Sequence, residues 1–318
     1  MLVLVAPGQG SQAPGFLQPW LELPGVAARL GEWSDVVGLD LVRFGTEADA
    51  DEIRDTAVAQ PLLVAGALLS ADALFGAEAA PTPAEALGAI AGHSVGELPA
   101  AAISGVLTPA EAMALVARRA TAMAKAATVA ETGMSAVLGG EPDEVAAKLA
   151  ELDLVAANNN GGGQVVAAGA LDRLAALAAD KPAGARVLPL KVAGAFHTAY
   201  MAAAVAEMAE AARQVTPGDP RVPFVSNADG AVVREGAEVL RRLVAQVSNP
   251  VRWDLCVDTF RELGVTALIE LLPGGTLSSL ARRNLPGVAR VAIKGPEQLD
   301  QARALIAEHA SQSPKTPE

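Results

Sequence analysis

Leu87-Gly88-Ala89-Ile90-Ala91-Gly92-His93-Ser94-Val95-Gly96-Glu97 is an apolar run that stops at a glycine, turns through a serine and enters an alanine-rich segment. Residues 87–91 are short, apolar and uncharged, the pattern of a parallel strand buried on both faces. From about Glu97 the composition is helical. Gly-X-Ser-X-Gly between a strand and a helix is a nucleophile elbow. The tight turn lifts the serine hydroxyl clear and needs small neighbours to do so. The helix that follows points its N-terminal N–H groups at negative charge developing there. Ser94 is therefore the candidate nucleophile.

Upstream, residues 2–6 are strand-like and run straight into the tight turn Ala6-Pro7-Gly8-Gln9-Gly10-Ser11-Gln12. A helical stretch follows near 57–74, with Gln60-Pro61 early in it. A second helix fits 109–127, entered through Thr108-Pro109-Ala110-Glu111, a threonine cap before a first-turn proline and an acid. Downstream, 134–138, 154–158, 164–168 and 186–190 read as strands, and 142–152 and 171–179 as helices. That order, βαββαβ, is the pattern of a ferredoxin-like unit, here inserted into a larger α/β domain. The remainder reads as helix (199–216), strand (222–226), helices at 236–247 and within 253–263, and a buried strand at 267–271 leading to Pro273-Gly274-Gly275. The expected division is a large subdomain in two parts, 1–128 with the elbow and 193–310, around a small subdomain at 129–192. Residues 311–318, polar and proline-rich, are expected to be a disordered tail.

The 318 residues can bury a sizeable core, and their net charge of −12 argues against general binding to a nucleic-acid backbone. No stretch reads as a signal peptide, and no uncharged apolar run reads as long enough to span a bilayer. One cysteine, Cys256, excludes an internal disulfide framework and fits a reducing compartment. One cysteine and three scattered histidines do not make a zinc site. The expectation is a cytoplasmic enzyme, free-standing, without a bound metal or membrane contact.

A serine hydroxyl needs a base within hydrogen-bond reach. His93 adjoins Ser94, and neighbours on a tight turn diverge. His309 falls in the terminal helix and is expected on the solvated surface. His197, in Gly194-Ala195-Phe196-His197-Thr198, directly follows a strand and is the candidate base by elimination. Asp254 and Asp258 are candidate acids to orient it. Gln9, between two glycines at a strand end, has a side-chain amide free to project from its loop. The glycine spacing there matches neither a P-loop nor a dinucleotide fingerprint. Gly161-Gly162-Gly163 reads as a flexible connection. Arg118 or Arg119 could grip a carboxylate in two-pronged fashion, and spacing does not choose between them.

Together these segments resemble the malonyl-CoA:acyl-carrier-protein transacylases. The resemblance is carried by Pro7–Gln12, Gly92–Glu97, Arg119, the 158–164 segment, Ala195-Phe196-His197 and Asn249-Pro250-Val251-Arg252-Trp253, in order over nearly the whole chain. It implies an α/β-hydrolase-like large subdomain with a ferredoxin-like small one, and malonyl transfer from malonyl-CoA to the phosphopantetheine thiol of an acyl carrier protein for fatty acid or polyketide synthesis. Ser94 would carry the malonyl group and His197 would be the base, with no cofactor of the chain's own. The backbone N–H groups of Val95 and Gln9 would form the oxyanion hole. The backbone carbonyl of Gln246, rather than an acid, would orient His197. Arg119 would hold the malonyl carboxylate, with His93, Asn158 and Asn160 bordering the substrate. Val95 and Phe196 resemble the malonyl-preferring type among related acyltransferases, since bulky Phe196 would crowd an added methyl. A usual proline is replaced by Gly162, a usual aromatic by Ala6, and Pro99 could shift the start of the nucleophile helix. The family is usually monomeric.

An acidic carrier protein needs a local basic surface near the mouth of the cleft. Arg282-Arg283 is the leading candidate, with Lys191 and Arg252 behind it.

Overall fold

The computed structural model describes residues 1–76 and 80–310, and the expected tail at 311–318 lies outside the described residues. Eleven strands occur among the described residues: β1 Leu2–Ala6, β2 Ala89–Gly92, β3 Thr132–Leu138, β4 Val155–Asn159, β5 Gln164–Ala170, β6 Arg186–Pro189, β7 Phe224–Val225, β8 Val232–Val233, β9 Val251–Arg252, β10 Ala267–Glu270 and β11 Ala289–Ala292. They form two sheets, ordered β11-β10-β1-β2-β7-β8 and β6-β3-β5-β4-β9.

The larger sheet is parallel from β11 to β7 and closes with the antiparallel edge pair β7–β8. Helices cover both faces, so its central strands need no polar face: every residue of β1, β2 and β10 is buried. β1 lies between β2 and β10, and this brings the turn after β1 beside the elbow after β2. Sites gather at such carboxyl ends of parallel strands.

The helix expected near 57–74 spans Thr56–Phe75. By length and composition it could cross a membrane, although Asp72 interrupts its uncharged run, and 78% of its most apolar window is buried inside the fold. A helix apolar all round belongs in a core. It packs on helix Pro109–Ala127, where Thr108 is the expected cap and the structure adds a reciprocal capping box with Glu111. Two helices, Val26–Val37 and Leu41–Thr46, lie where the sequence reading assigns no element; they pin Leu30, Trp33 and Leu41 into the core. The strand expected at 222–226 shortens to Phe224–Val225.

In the smaller sheet β3, β4, β5 and β6 are antiparallel, covered by helices Pro142–Glu151 and Leu171–Ala179. Its fifth strand, β9, comes from far along the chain and pairs parallel with β4. The smaller sheet is thus stitched to the segment that follows Gln246, which the βαββαβ pattern alone does not reveal. Gly161-Gly162-Gly163 is not a slack connection. All three have left-handed φ (69°, 54° and 73°), and a Cβ on Gly162 would come within 2.5 Å of the Asn284 side chain.

Candidate active site

Ser94 sits at the turn between β2 and a short 3-10 turn, Ser94–Gly96, that continues into helix Glu97–Ser104; Pro99 is accommodated in its first turn. Its φ of 54° is the left-handed conformation that a non-glycine residue adopts at a cost. The flanking glycines are required by packing. A Cβ on Gly92 would lie 1.9 Å from the Gly96 backbone, and one on Gly96 would lie 2.2 Å from the Ala6 carbonyl. Asn227, just past β7, clamps the turn: its Oδ1 accepts from the Ser94 N–H at 2.8 Å and its Nδ2 donates to the Gly92 carbonyl at 2.6 Å.

His197 meets Ser94 with Nε2 2.7 Å from Oγ. Its Nδ1 lies 2.9 Å from the Gln246 carbonyl oxygen, which can only accept, so Nδ1 carries the proton and Nε2 is left to receive one. Burial, and then the nearby positive charge of Arg119, press its pKa down to about 3. The imidazole is therefore neutral and ready as a base. Asp254 and Asp258 do not reach it. Asp254 is paired with Arg252 and Asp258 with Arg261, both on the solvent side of helix Trp253–Glu262. The candidate acids are thus corrected to a backbone carbonyl.

His93 turns away from its neighbour, its Nε2 2.9 Å from Asn160 Oδ1 and its ring 5.7 Å from that of Trp253. Burial lowers its pKa, so it too is neutral. His309 is not on the solvated surface: it is buried, with Nδ1 2.9 Å from Thr266 Oγ1, because the last helix folds back over the sheet.

Between the two arginines the structure chooses. Arg118 is exposed, whereas Arg119 is 2% exposed. Arg119 donates to Gln60 Oε1 at 2.7 Å, Gln246 Oε1 at 2.9 Å and Ser94 Oγ at 3.2 Å. Burial lowers its pKa to about 10 and buried Glu97 opposes the shift, so it stays charged at neutral pH. All three of these partners are neutral, an arrangement that leaves the charge for a ligand's anion.

Ser94, His197, His93 and Gln60 line a cleft of about 260 Å³ between the two sheets, together with Gly8, Gln9, Asn158, Val166 and Phe196, and Arg119 reaches its floor through Ser94 Oγ and Gln60. The Asn158 Oδ1 is buried and has no hydrogen-bond partner among the described residues. The Gln9 side-chain amide is not free as expected, since its Nε2 reaches Arg54 O at 3.5 Å and Thr56 Oγ1 at 3.3 Å. The backbone N–H groups of Gln9 and Val95 are taken by no other acceptor among the described residues. Helix Thr276–Asn284 closes one wall, its first turn capped by the buried carboxylate of Glu270, which accepts from the N–H groups of Gly275, Leu277 and Ser278. Arg282 and Arg283 stand exposed in its last turn, with Arg283 2.8 Å from Gln164 Oε1 across the cleft. Lys191 is exposed, and Arg252 is occupied by Asp254. Among the described residues no group of three or more His, Cys, Asp or Glu side chains could hold a metal ion.

Three contributors escape the sequence reading: Asn227, Gln60 and the carboxylate of Glu97. Gln60 had a signal, a polar residue inside an otherwise apolar helix. Asn227 follows a two-residue strand and carries none.

Residues 3–310 match the family model of the acyl transferase domain. The malonyl CoA-acyl carrier protein transacylase of Mycobacterium tuberculosis is 51% identical over 301 residues, covering 95% of this chain and 99% of the relative. The chain belongs to this transacylase family. The transacylase fold matches a crystal structure of the M. tuberculosis protein with a TM-score of 0.91 at 50% identity, over 95% of this chain and 99% of that one. A second match is the structure of a type II PKS acyl-carrier protein in complex with its malonyl-transacylase, with a TM-score of 0.87 at 30% identity over 96% of this chain and 99% of that one. The Escherichia coli transacylase is 34% identical over 95% of this chain and 98% of the relative.

Proposed function

We propose that this chain transfers a malonyl group from malonyl-CoA to the phosphopantetheine thiol of an acyl carrier protein, through a malonyl ester on Ser94. The observation that carries the reading is Arg119: a buried charge with neutral partners, one of them the nucleophile's own oxygen at 3.2 Å. A malonyl carboxylate must be desolvated on entry, and a preorganised guanidinium offsets that cost. An acetyl group would leave the charge unmatched.

In the first half-reaction Ser94 Oγ attacks the thioester carbonyl and His197 Nε2 takes the hydroxyl proton. The backbone N–H groups of Val95 and Gln9 face the developing oxyanion. Collapse breaks the C–S bond, and the leaving CoA sulfur takes the proton from His197. In the second, His197 deprotonates the carrier's thiol, which attacks the ester carbonyl, and Ser94 leaves with that proton. The scheme is ping-pong and uses no cofactor of the chain's own. His93, Asn158 and Asn160 border the acyl and pantetheine path. Phe196 crowds the α-carbon, so one methyl there is worth about 1–3 kcal/mol of discrimination. The product supplies fatty acid or polyketide synthesis. The reading includes a cytoplasmic monomer without membrane contact, and the net charge of −12 supports its further part, that the chain does not engage nucleic acid.

Labelled malonyl-CoA, supplied with and without holo carrier protein, tests this. The label should move to the carrier's thiol faster than it is released as free malonate. Release to water at the same rate in both mixtures would contradict transfer and indicate a thioesterase.

A further inference from the structure

The elbow and the arginine share one buried network, and its hydrogen bonds are ordered by a single acid. Glu97 is 1% exposed. Its Oε1 accepts from the Asn227 backbone N–H at 2.6 Å, and its Oε2 accepts from Gln246 Nε2. A carboxylate can only accept. The Gln246 carboxamide must then turn its nitrogen toward Glu97, where it also reaches the Ser94 carbonyl oxygen at 3.0 Å. Its Oε1 is left facing Arg119 Nη2 at 2.9 Å. Turned the other way, the amide nitrogen would face the guanidinium, donor against donor. Asn227, seated on Glu97 through its backbone, holds both ends of the turn around His93.

We propose that Glu97 is a positioning residue for the transfer reaction: its carboxylate sets the orientation of the Gln246 amide and anchors Asn227, and so aims Arg119 and holds Ser94 in its left-handed backbone. Glu97 itself touches no substrate. The inference rests on the transacylase reading and names a further residue on which that reaction depends.

Burial pushes the Glu97 pKa up to about 7, against the hydrogen bonds from Asn227 and Gln246 and the charges of Arg119 and Arg242. The other titratable group facing it, Cys256, is held neutral by burial. A protonated Glu97 would set a hydroxyl against N–H groups that cannot accept, so the network loosens as pH falls through that value.

The test is the rate of malonyl-serine formation, followed from about pH 5.5 to 9, in the wild-type chain and in Glu97→Gln and Glu97→Asp. Losing one hydrogen bond to a charged group should lower kcat/KM of Glu97→Gln about 10- to 100-fold. Its KM for malonyl-CoA should rise, and the acid limb near pH 7 should vanish. Glu97→Asp, still acceptor-only, should keep the limb and recover part of the rate. A Glu97→Gln chain with wild-type kcat/KM and an unchanged limb overturns the proposal, as does equal damage in both variants. If Glu97→Gln does not fold, infrared difference spectroscopy of the wild-type chain decides. A buried carboxylic-acid band that grows in step with the loss of rate supports the proposal, and one with a separate midpoint, or none, overturns it. A wild-type chain that forms no malonyl-serine fails the transacylase reading itself, which is a different result.

Discussion

The Gln246 backbone carbonyl stands 2.9 Å from His197 Nδ1, where many serine enzymes place a carboxylate. The same residue's side chain accepts from Arg119 and donates to the Ser94 carbonyl. One residue thus serves His197 through its backbone and Arg119 through its amide. Gln246→Ala separates the two, because it keeps the carbonyl and deletes the amide. We expect Ser94 to keep its reactivity toward a fluorophosphonate while KM for malonyl-CoA rises about tenfold, the loss of one charged hydrogen bond. Equal loss of both activities would show that the side chain supports the base as well.

Arg119→Ala removes the charge that a malonyl carboxylate would meet. Two charge-assisted hydrogen bonds at roughly 1.5 kcal/mol each predict a loss of about 100-fold in kcat/KM for malonyl-CoA. Acetyl-CoA should gain relative to it. Steady-state kinetics with both esters measures the ratio, and a parallel fall for the two would contradict the role given to Arg119.

The depressed pKa of His197 has a consequence for stability. The group is neutral in the folded chain down to about pH 3 but protonates near 6.5 when unfolded. Its contribution is therefore complete above the unfolded value and lost as pH falls below it. Comparing denaturant unfolding of the wild-type chain and His197→Asn, the difference should shift against the wild type by about 2 kcal/mol from pH 6.5 to 5. A difference that does not move with pH would mean that His197 is not buried neutral.

Arg282 and Arg283, exposed at the end of the helix that walls the cleft, are proposed to meet the acidic carrier. Arg282→Ala with Arg283→Ala should raise KM for the carrier several-fold, weaken its salt dependence and spare KM for malonyl-CoA. Equal change in both constants would place the two arginines outside the docking surface.

Much of the site was legible because its chemistry sits in short motifs at element boundaries. Ser94 follows an apolar strand, and His197 is the histidine left after two others are set aside. The threonine cap at Thr108 located the helix that carries Arg119, although only burial separates it from Arg118. What was hidden is non-local. Asn227 lies 133 positions from the backbone N–H it holds, and β9 joins the smaller sheet from far downstream. A pairing between distant segments leaves no periodicity in either. His309 was misplaced for a related reason: a polar residue near a chain end gives no sign that its helix folds back onto Thr266.

The central claim is that the Ser94 hydroxyl carries the malonyl group between two thiols. Mass spectrometry of the peptide containing Ser94, after brief incubation with malonyl-CoA, tests it most directly. The account predicts one added malonyl group on Ser94, discharged when holo carrier protein is supplied, and absent from Ser94→Ala and with acetyl-CoA. An unmodified Ser94 peptide in a chain that still transfers malonyl, or the label on another residue, would contradict it.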